Sequence, residues 1–388
     1  MALPLSYNAR NVFQRPVSTF TTAIGIGLTV AILIGALALA AGFRASLVST
    51  GLEENALVLR KGADSEISSV LSREVASILR SHPSVATGPD GQPLASAELV
   101  IVANKPRLGQ KGSSNLTVRG IDAHGVAVRG KVQVIEGAMF TPGTDEIMVG
   151  KRVAARFANC GIGDRVHLQK RDFKVVGHFA AGGSAYESEI WGDAAVLGPA
   201  LDRDGFQTVV YRMKDPSQFP ALKKELEADP RLQVQVRREQ EFYADQSQMF
   251  TGLITGVGTF ITLIMAVGAI FGAMNTMFAA VGSRRREIAT LLVLGFSPWS
   301  IMSSFVVESV LLAMVGGLIG CLLALPINGI TTSTTNFQSF SEMAFAFQVT
   351  PAVLLQGFLF SVFLGVVGGI LPAWRASRQT LATGLRGA

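Results

Sequence analysis

The densest chemical signature in the chain is Arg284-Arg285-Arg286-Glu287, followed by Ile288, Leu291, Leu292 and Leu294 and stopped by Gly295. At helical spacing, Arg286, Glu287 and Thr290 share a polar side and the aliphatic residues form the remainder. Gly295 suits a helix stop, and Pro298 suits the start of the next helix. Such a segment either anchors on lipid headgroups or docks a protein partner. Other chemistry is thinner. Residues 125–131 spell G-x-x-x-x-G-K, but Val132 stands where a phosphate loop needs Ser or Thr for Mg²⁺, so a chance match is the better account. His167 and His178 could face each other across a hairpin and hold a metal, yet no HExxH or CxxC spacing supports them or His82 and His124. Ser184 follows Gly182-Gly183 without the G-x-S-x-G context of a hydrolase nucleophile, and the Gly pair suits a turn. Cys160 and Cys321 are too few for a disulfide framework. The expectation is a chain with no catalytic residue, no metal site and no nucleotide site of its own.

The elements that must position the arginine run follow from where charge is missing. Of 388 residues, 49% are hydrophobic and only 16% charged, against roughly 25% charged in soluble domains. This argues against a cytosolic enzyme, a disordered chain or a nucleic-acid-coating protein. The uncharged stretches accommodate four membrane spans of about 20 residues or more, placed at 17–43, 246–283, 301–327 and 350–373. The first apolar run is nearly twice as long as a signal-peptide core of roughly 7–15 residues, so it is expected to stay as a span. Arg10, Arg15, Arg284, Arg285, Arg286, Arg375, Arg378 and Arg386 flank the spans on one side, while the loop between spans three and four holds only Glu342. By the positive-inside rule both termini and the 284–300 loop are cytoplasmic. The net charge of +6 therefore reports topology. Residues 44–245 hold 26 basic and 25 acidic residues, and the other eight basic residues all sit on the cytoplasmic side.

Glu308 is the one charge well inside a span, and pairing with one of Arg284–286, or a hydrogen bond across helices, is the favoured reading, because a lone buried charge is costly. Gly268/Gly272, Gly316/Gly320 and Gly365/Gly369 are G-x-x-x-G pairs, and Gly25/Thr29 is a related small pair, all suited to helix packing or dimerisation.

Residues 44–245 alternate strand and helix patterns. Strands are expected at 56–60, 97–102, 115–119, 132–135, 146–149, 206–212 and 232–236, with a hairpin from 165–169 and 173–179. Helices are expected at 67–79, around 152–157, and at 219–228. The pattern is α+β. From Glu239 the chain lacks Pro or Gly until Gly252, and residues 44–54 continue similarly from span one, so both helices are expected to project as a stalk. The fold class is thus an α-helical membrane protein with four transmembrane helices and an α+β extracytoplasmic domain between helices 1 and 2.

Residues 284–295 fit R-R-x-E-I-x-x-L-x-x-L-G, the span after them holds Glu308, Gly316, Gly317 and Gly320, and residues 372–378 read Pro-Ala-Trp-Arg-Ala-Ser-Arg. In these motifs the chain resembles the MacB/FtsX-like permeases of ABC transporters, and Asn8-Ala9-Arg10-Asn11 resembles the family's amphipathic N-terminal segment. Leu381 and Gly384 depart from the family's usual Pro and Ala in the tail. The sharp motifs are confined to 271–320 and 372–386, while the layout matches throughout. The resemblance implies a half-transporter without a fused ATPase, in the bacterial inner membrane. It would pair with a second permease copy, identical or related, and with a cytoplasmic ABC ATPase that binds the ATP and Mg. Residues 1–16 would form the N-terminal amphipathic segment, 44–245 the periplasmic domain with its stalk, 284–300 the coupling loop, 328–349 the outer loop and 374–388 the cytoplasmic tail. Arg284, Arg285, Arg286, Glu287, Ile288, Leu291 and Gly295 would form the ATPase-coupling element. Family members export substrates, some with a periplasmic adaptor and an outer-membrane channel, extract lipoproteins, or activate cell-wall hydrolases. The size of the outer domain points to export by mechanotransmission.

Overall fold

The computed structural model describes residues 16–109 and 111–378. Asn8–Asn11 of the expected N-terminal segment, and Leu381, Gly384 and Arg386 of the tail, lie outside the described residues. The chain divides into two compact units: residues 1–41, 252–330 and 347–388, and residues 42–251 with 331–346.

The first unit is helical. Among the described residues, four helices are long and apolar enough to cross a membrane. They are α1 (Pro16–Val48), α7 (Glu239–Ser283), α9 (Pro298–Ala324) and α10 (Pro351–Ser377), with a short α8 (Arg285–Val293) between α7 and α9. Both α1 and α7 run on past the spans expected for them, since no Pro or Gly interrupts their polar ends. At 45 residues, α7 is about 68 Å long, over twice the roughly 30 Å of bilayer hydrocarbon. Helix α10 likewise continues to Ser377, four residues beyond the expected end.

Glycines set how closely these helices approach. A Cβ on Gly316 would lie 2.8 Å from the Ala23 carbonyl, and one on Gly320 would lie 2.6 Å from that of Gly27, so α9 packs backbone to backbone on α1. Gly365 and Gly369 do the same between α10 and α9, where Ser309 Oγ also donates to the Gly365 carbonyl at 2.8 Å. Gly25, Gly268 and Gly272 meet nothing within 4 Å. Of the two roles expected for these glycines, packing within one chain or dimerisation, the free space at these three leaves the second.

The second unit is α+β. Its sheet runs β10-β1-β9-β2-β3-β8-β5-β7-β4, with β6 paired to β7. The strands are β1 (Asn55–Arg60), β2 (Ala95–Pro106), β3 (Ser113–Ile121), β4 (Gln133–Gly137), β5 (Glu146–Gly150), β6 (Arg165–Leu168), β7 (Arg171–Ala180), β8 (Glu189–Asp193), β9 (Thr208–Arg212) and β10 (Val234–Arg238). The pairs β3–β8 and β5–β7 are parallel. The twelve-residue β2 pairs β9 through its first four residues and β3 through its last eight. Two apolar cores follow. One gathers Val58, Leu79, Val209, Tyr211, Leu222, Leu226 and Val236 beneath α2 (Arg73–Arg80) and α6 (Phe219–Ala228). The other gathers Leu116, Val118, Ile147, Val149, Phe173, Val175, Ile190 and Leu197, the last from α5 (Ala194–Ala200).

Three local differences from the sequence expectation have physical causes. The helix expected over 67–79 begins only at Arg73, where the Ser72 hydroxyl accepts the Val75 N–H. Upstream, Ser65 and Ser68 bond to each other's backbone, and Leu71 exchanges both backbone hydrogen bonds with Phe206. The G-x-x-x-x-G-K stretch becomes a one-turn helix, α3 (Gly125–Arg129), closed by left-handed Gly130. A Cβ on Gly125 would lie 2.7 Å from that of Ile121, so that glycine serves packing. The expected outer loop 328–349 contains an antiparallel hairpin, β11 (Thr331–Asn336) and β12 (Ser341–Ala346), which belongs to the second unit.

Candidate coupling sites

In the helical unit the arginine run folds as α8. Ile288 and Ala289 are buried, and Leu291 and Leu292 pack with Met277, Val281, Ile301, Phe305, Ala373 and Ala376. This apolar contact fixes one face of α8 against three longer helices. Gly295, at φ +87°, ends it in a conformation that favours glycine. The Ser297 hydroxyl then caps α9 by accepting the Ser300 N–H at 3.3 Å, with Pro298 in the first turn. The opposite face stays open: Arg285, Arg286, Glu287 and Thr290 are exposed, as are Val293, Leu294 and Trp299, the last at 76%.

Arg284 does not join that face. It is buried at the junction of α7 and α8, where its guanidinium donates to both carboxylate oxygens of Glu308 at 2.9 and 3.2 Å. Both side chains are under one-tenth exposed. The expected pairing therefore falls to the first arginine of the three, and it ties the start of α8 to the middle of α9.

The second unit buries a charge cluster that the sequence did not disclose. The Arg119 guanidinium on β3 forks between Glu66 (2.9 Å), Glu189 (2.7 Å) and Glu98 (2.8 Å). Arg129 of α3 donates to Glu98, Glu239 and the Tyr186 hydroxyl. Glu239, the first residue of α7, is fully buried. Its carboxylate also accepts the Leu52 N–H at 2.9 Å, Asn55 Nδ2 at 2.8 Å and the Tyr186 hydroxyl at 3.1 Å. Gly51 passes so close that a Cβ there would lie 2.6 Å from the Gln240 backbone. The end of the long helix is thus gripped by its first side chain.

Four carboxyls here face two guanidiniums, and they respond unequally. Burial disfavours the Glu66 carboxylate, but Arg119, Arg129 and a Tyr243 hydrogen bond outweigh it and hold its pKa below the ordinary value. Burial pushes Glu189 upward, and Arg119 does not fully offset this because the Glu66 charge lies close by. Burial also opposes both guanidiniums, yet Glu189 and Glu66 hold Arg119, and Glu98 holds Arg129, well above the usual arginine pKa.

His167 contacts Asp172 at 2.8 Å, and His178 contacts Glu136 at 3.1 Å and the Cys160 carbonyl at 2.9 Å, so the two histidines face different partners. Among the described residues, no three His, Cys, Asp or Glu side chains are placed to hold a metal. Gly182 and Gly183 both take positive φ, in the turn expected there.

Comparison with known proteins matches residues 19–229 to the MacB-like periplasmic core domain and residues 259–381 to the FtsX-like permease C-terminal domain. The chain belongs to the MacB/FtsX-like permease family. It is a multi-pass permease of that family, the first match being the periplasmic core and the second the permease C-terminal domain. It is 24% identical to the macrolide export ATP-binding/permease protein MacB of Bordetella avium over 97% of this chain and 58% of that protein. It is 26% identical to MacB 1 of Aeromonas hydrophila over 68% of this chain and 42% of that protein. An uncharacterised ABC transporter permease of Bacillus subtilis, YknZ, is 30% identical over 39% of this chain and 36% of that protein. The chain thus spans about half the length of the MacB relatives it matches.

Proposed function

We propose that this permease couples ATP hydrolysis by a separate cytoplasmic ABC ATPase to motion of its extracytoplasmic unit, driving export of a periplasmic or membrane-derived substrate. The observation that carries this reading is α8. Its apolar face is packed against α7, α9 and α10, its start is pinned by Arg284–Glu308, and its other face presents Arg285, Arg286, Glu287, Val293 and Leu294. A rigidly seated helix with an exposed charged and apolar face can receive a partner's push without dissipating it. Helix α7 continues unbroken from that junction to Glu239, which is locked into the outer fold. ATP and Mg belong to the partner in this reading. A second permease copy completes the transporter, on the open Gly268/Gly272 face of α7. The MacB relatives named above are export proteins, which favours export, with an adaptor and outer-membrane channel as further partners, over lipoprotein extraction or activation of a cell-wall hydrolase. The orientation is that of the positive-inside rule, with both termini in the cytoplasm of a bacterial inner membrane.

The test is co-expression of the tagged chain with a candidate ABC ATPase subunit from the same genome, followed by purification and measurement of vanadate-sensitive ATP hydrolysis. The wild type is expected to retain the ATPase, and Arg285→Glu/Glu287→Arg is expected to lose it. Unchanged association in the double reversal would remove α8 from the coupling role.

A further inference from the structure

We propose that the β11–β12 hairpin is a fixed strut, a second load path between the α9–α10 pair and the outer unit, and that Glu342 is the positioning residue that holds it. The proposal rests on the mechanotransmission reading above and adds a connection through the α9–α10 links to those made by α1 and α7.

The hairpin cannot hold itself. Two six-residue strands make a marginal unit in water, and β11, Thr-Thr-Ser-Thr-Thr-Asn, carries no apolar side chain. What seats it is a set of groups from the outer fold. Glu342 is buried and ion-paired to Arg107 and to Arg156, whose Nη2 lies 2.8 Å from it. Arg156 also reaches Ser333 on the opposite strand, so one guanidinium clamps both strands. Thr117 Oγ1 donates to Ser341 Oγ at 2.8 Å, Asn115 Nδ2 to the Phe340 carbonyl at 3.1 Å, and the Ala344 N–H to Ser188 Oγ at 3.0 Å. Arg152 donates to the Ala344 carbonyl while its Nε pairs with Glu187 at 3.2 Å. Phe345 stands edge-on to Phe43 at 5.3 Å, and Phe337 lies 6.3 Å from Phe250, so both long helices are touched where they leave the helical unit.

The links to the spans have little slack. Only Asn328, Gly329 and Ile330 separate the helical turn ending at Ile327 from β11, and four residues separate β12 from α10. Fully extended, the shorter link reaches about 14 Å. It is in fact tied across, with the Gly329 N–H donating to the Phe347 carbonyl and the Phe347 N–H to that of Ile330, at 2.9 and 3.0 Å. A displacement of the α9–α10 end therefore has to pull on the clamp around Glu342.

The experiment uses the complete permease–ATPase complex in nanodiscs, in a Cys321→Ser background. Spin labels at Arg203→Cys and Leu355→Cys, both exposed positions, report distance with and without ATP and vanadate. The expected result is a nucleotide-driven change in the wild type that is clearly reduced in Glu342→Ala. Crosslinking Thr117→Cys to Ser341→Cys should leave the change intact and restore it in Glu342→Ala. A full change in uncrosslinked Glu342→Ala overturns the strut. So does a crosslink that abolishes the change, since the hairpin would then have to detach during the cycle. Failure of the crosslink to rescue Glu342→Ala assigns the loss to misfolding and also overturns it. A complex that assembles but shows no nucleotide-driven change in the wild type refutes mechanotransmission itself.

Discussion

Removing one partner of the Arg284–Glu308 pair is the most direct test of how α8 is seated. Oxygen–nitrogen distances of 2.9 and 3.2 Å correspond to a Coulomb attraction of about 5 kcal/mol at an effective dielectric of about 20. Each ion costs several kcal/mol to bring out of water, so the pair as a whole contributes little net stability. A single replacement is different, because it removes the ion-pair attraction from a charge that stays buried, at a cost of about 3–5 kcal/mol. Glu308→Leu and Arg284→Met should each destabilise the permease by about that amount, while Arg284→Met/Glu308→Leu should fall within about 1 kcal/mol of wild type. The coupling energy of the double-mutant cycle, the double minus the sum of the two singles, is then about 6–10 kcal/mol in magnitude. Unfolding in mixed dodecylmaltoside–SDS micelles, followed by tryptophan fluorescence, measures it. Single variants within about 0.5 kcal/mol of wild type, the scatter of ordinary surface substitutions, would refute the reasoning. A double variant as unstable as the sum of the singles would do the same.

Gly320→Ala should cost about 1–3 kcal/mol through overpacking, since its Cβ would lie 2.6 Å from the Gly27 carbonyl. By contrast, Gly268→Leu should leave monomer stability in place and instead reduce pairing of two copies, read by crosslinking in native membranes; unchanged pairing would leave lipid as the occupant of that face. The last prediction concerns pH. Burial raises Glu342, but hydrogen bonds from Ser114 and Ser333 and the charges of Arg107 and Arg156 outweigh it, so its folded pKa lies below the ordinary 4.5. The stability it contributes is complete above that value and is lost as pH falls through the depressed folded pKa. Hydrogen exchange of residues 331–346, corrected for intrinsic rates, should therefore lose protection in acid, and Glu342→Gln should lose that dependence. Identical acid profiles for the two proteins would exclude Glu342 as the responsible group.

Much of the layout was legible because it rests on one-dimensional signals. Spans are long uncharged runs, strands are short alternating ones, and α6 was expected over the same residues, 219–228, that form it. Strand β8 and α5 were not anticipated. Residues 189–193 are buried at every position, so they show no alternation, and α5 is brief and contains Pro199. The glycine pairs illustrate the same limit inside the membrane. Gly316/Gly320 and Gly268/Gly272 have equal spacing, yet only the first pair meets another backbone.

The amino-acid sequence by itself determined the number of membrane helices, the arginine run with its stop signals, and the family, because each depends on composition or on residues adjacent along the chain. Only the tertiary structure decided which arginine Glu308 holds, which glycines are packed, and how the second unit grips the start of α7 and the hairpin. Arg119 and Glu66 are 53 residues apart, Arg129 and Glu239 are 110 apart, and Arg107 and Glu342 are 235 apart. Charges at such separations look like ordinary solvated surface until the sheet brings them together. Burial then makes each depend on its partner, and no local pattern records that dependence.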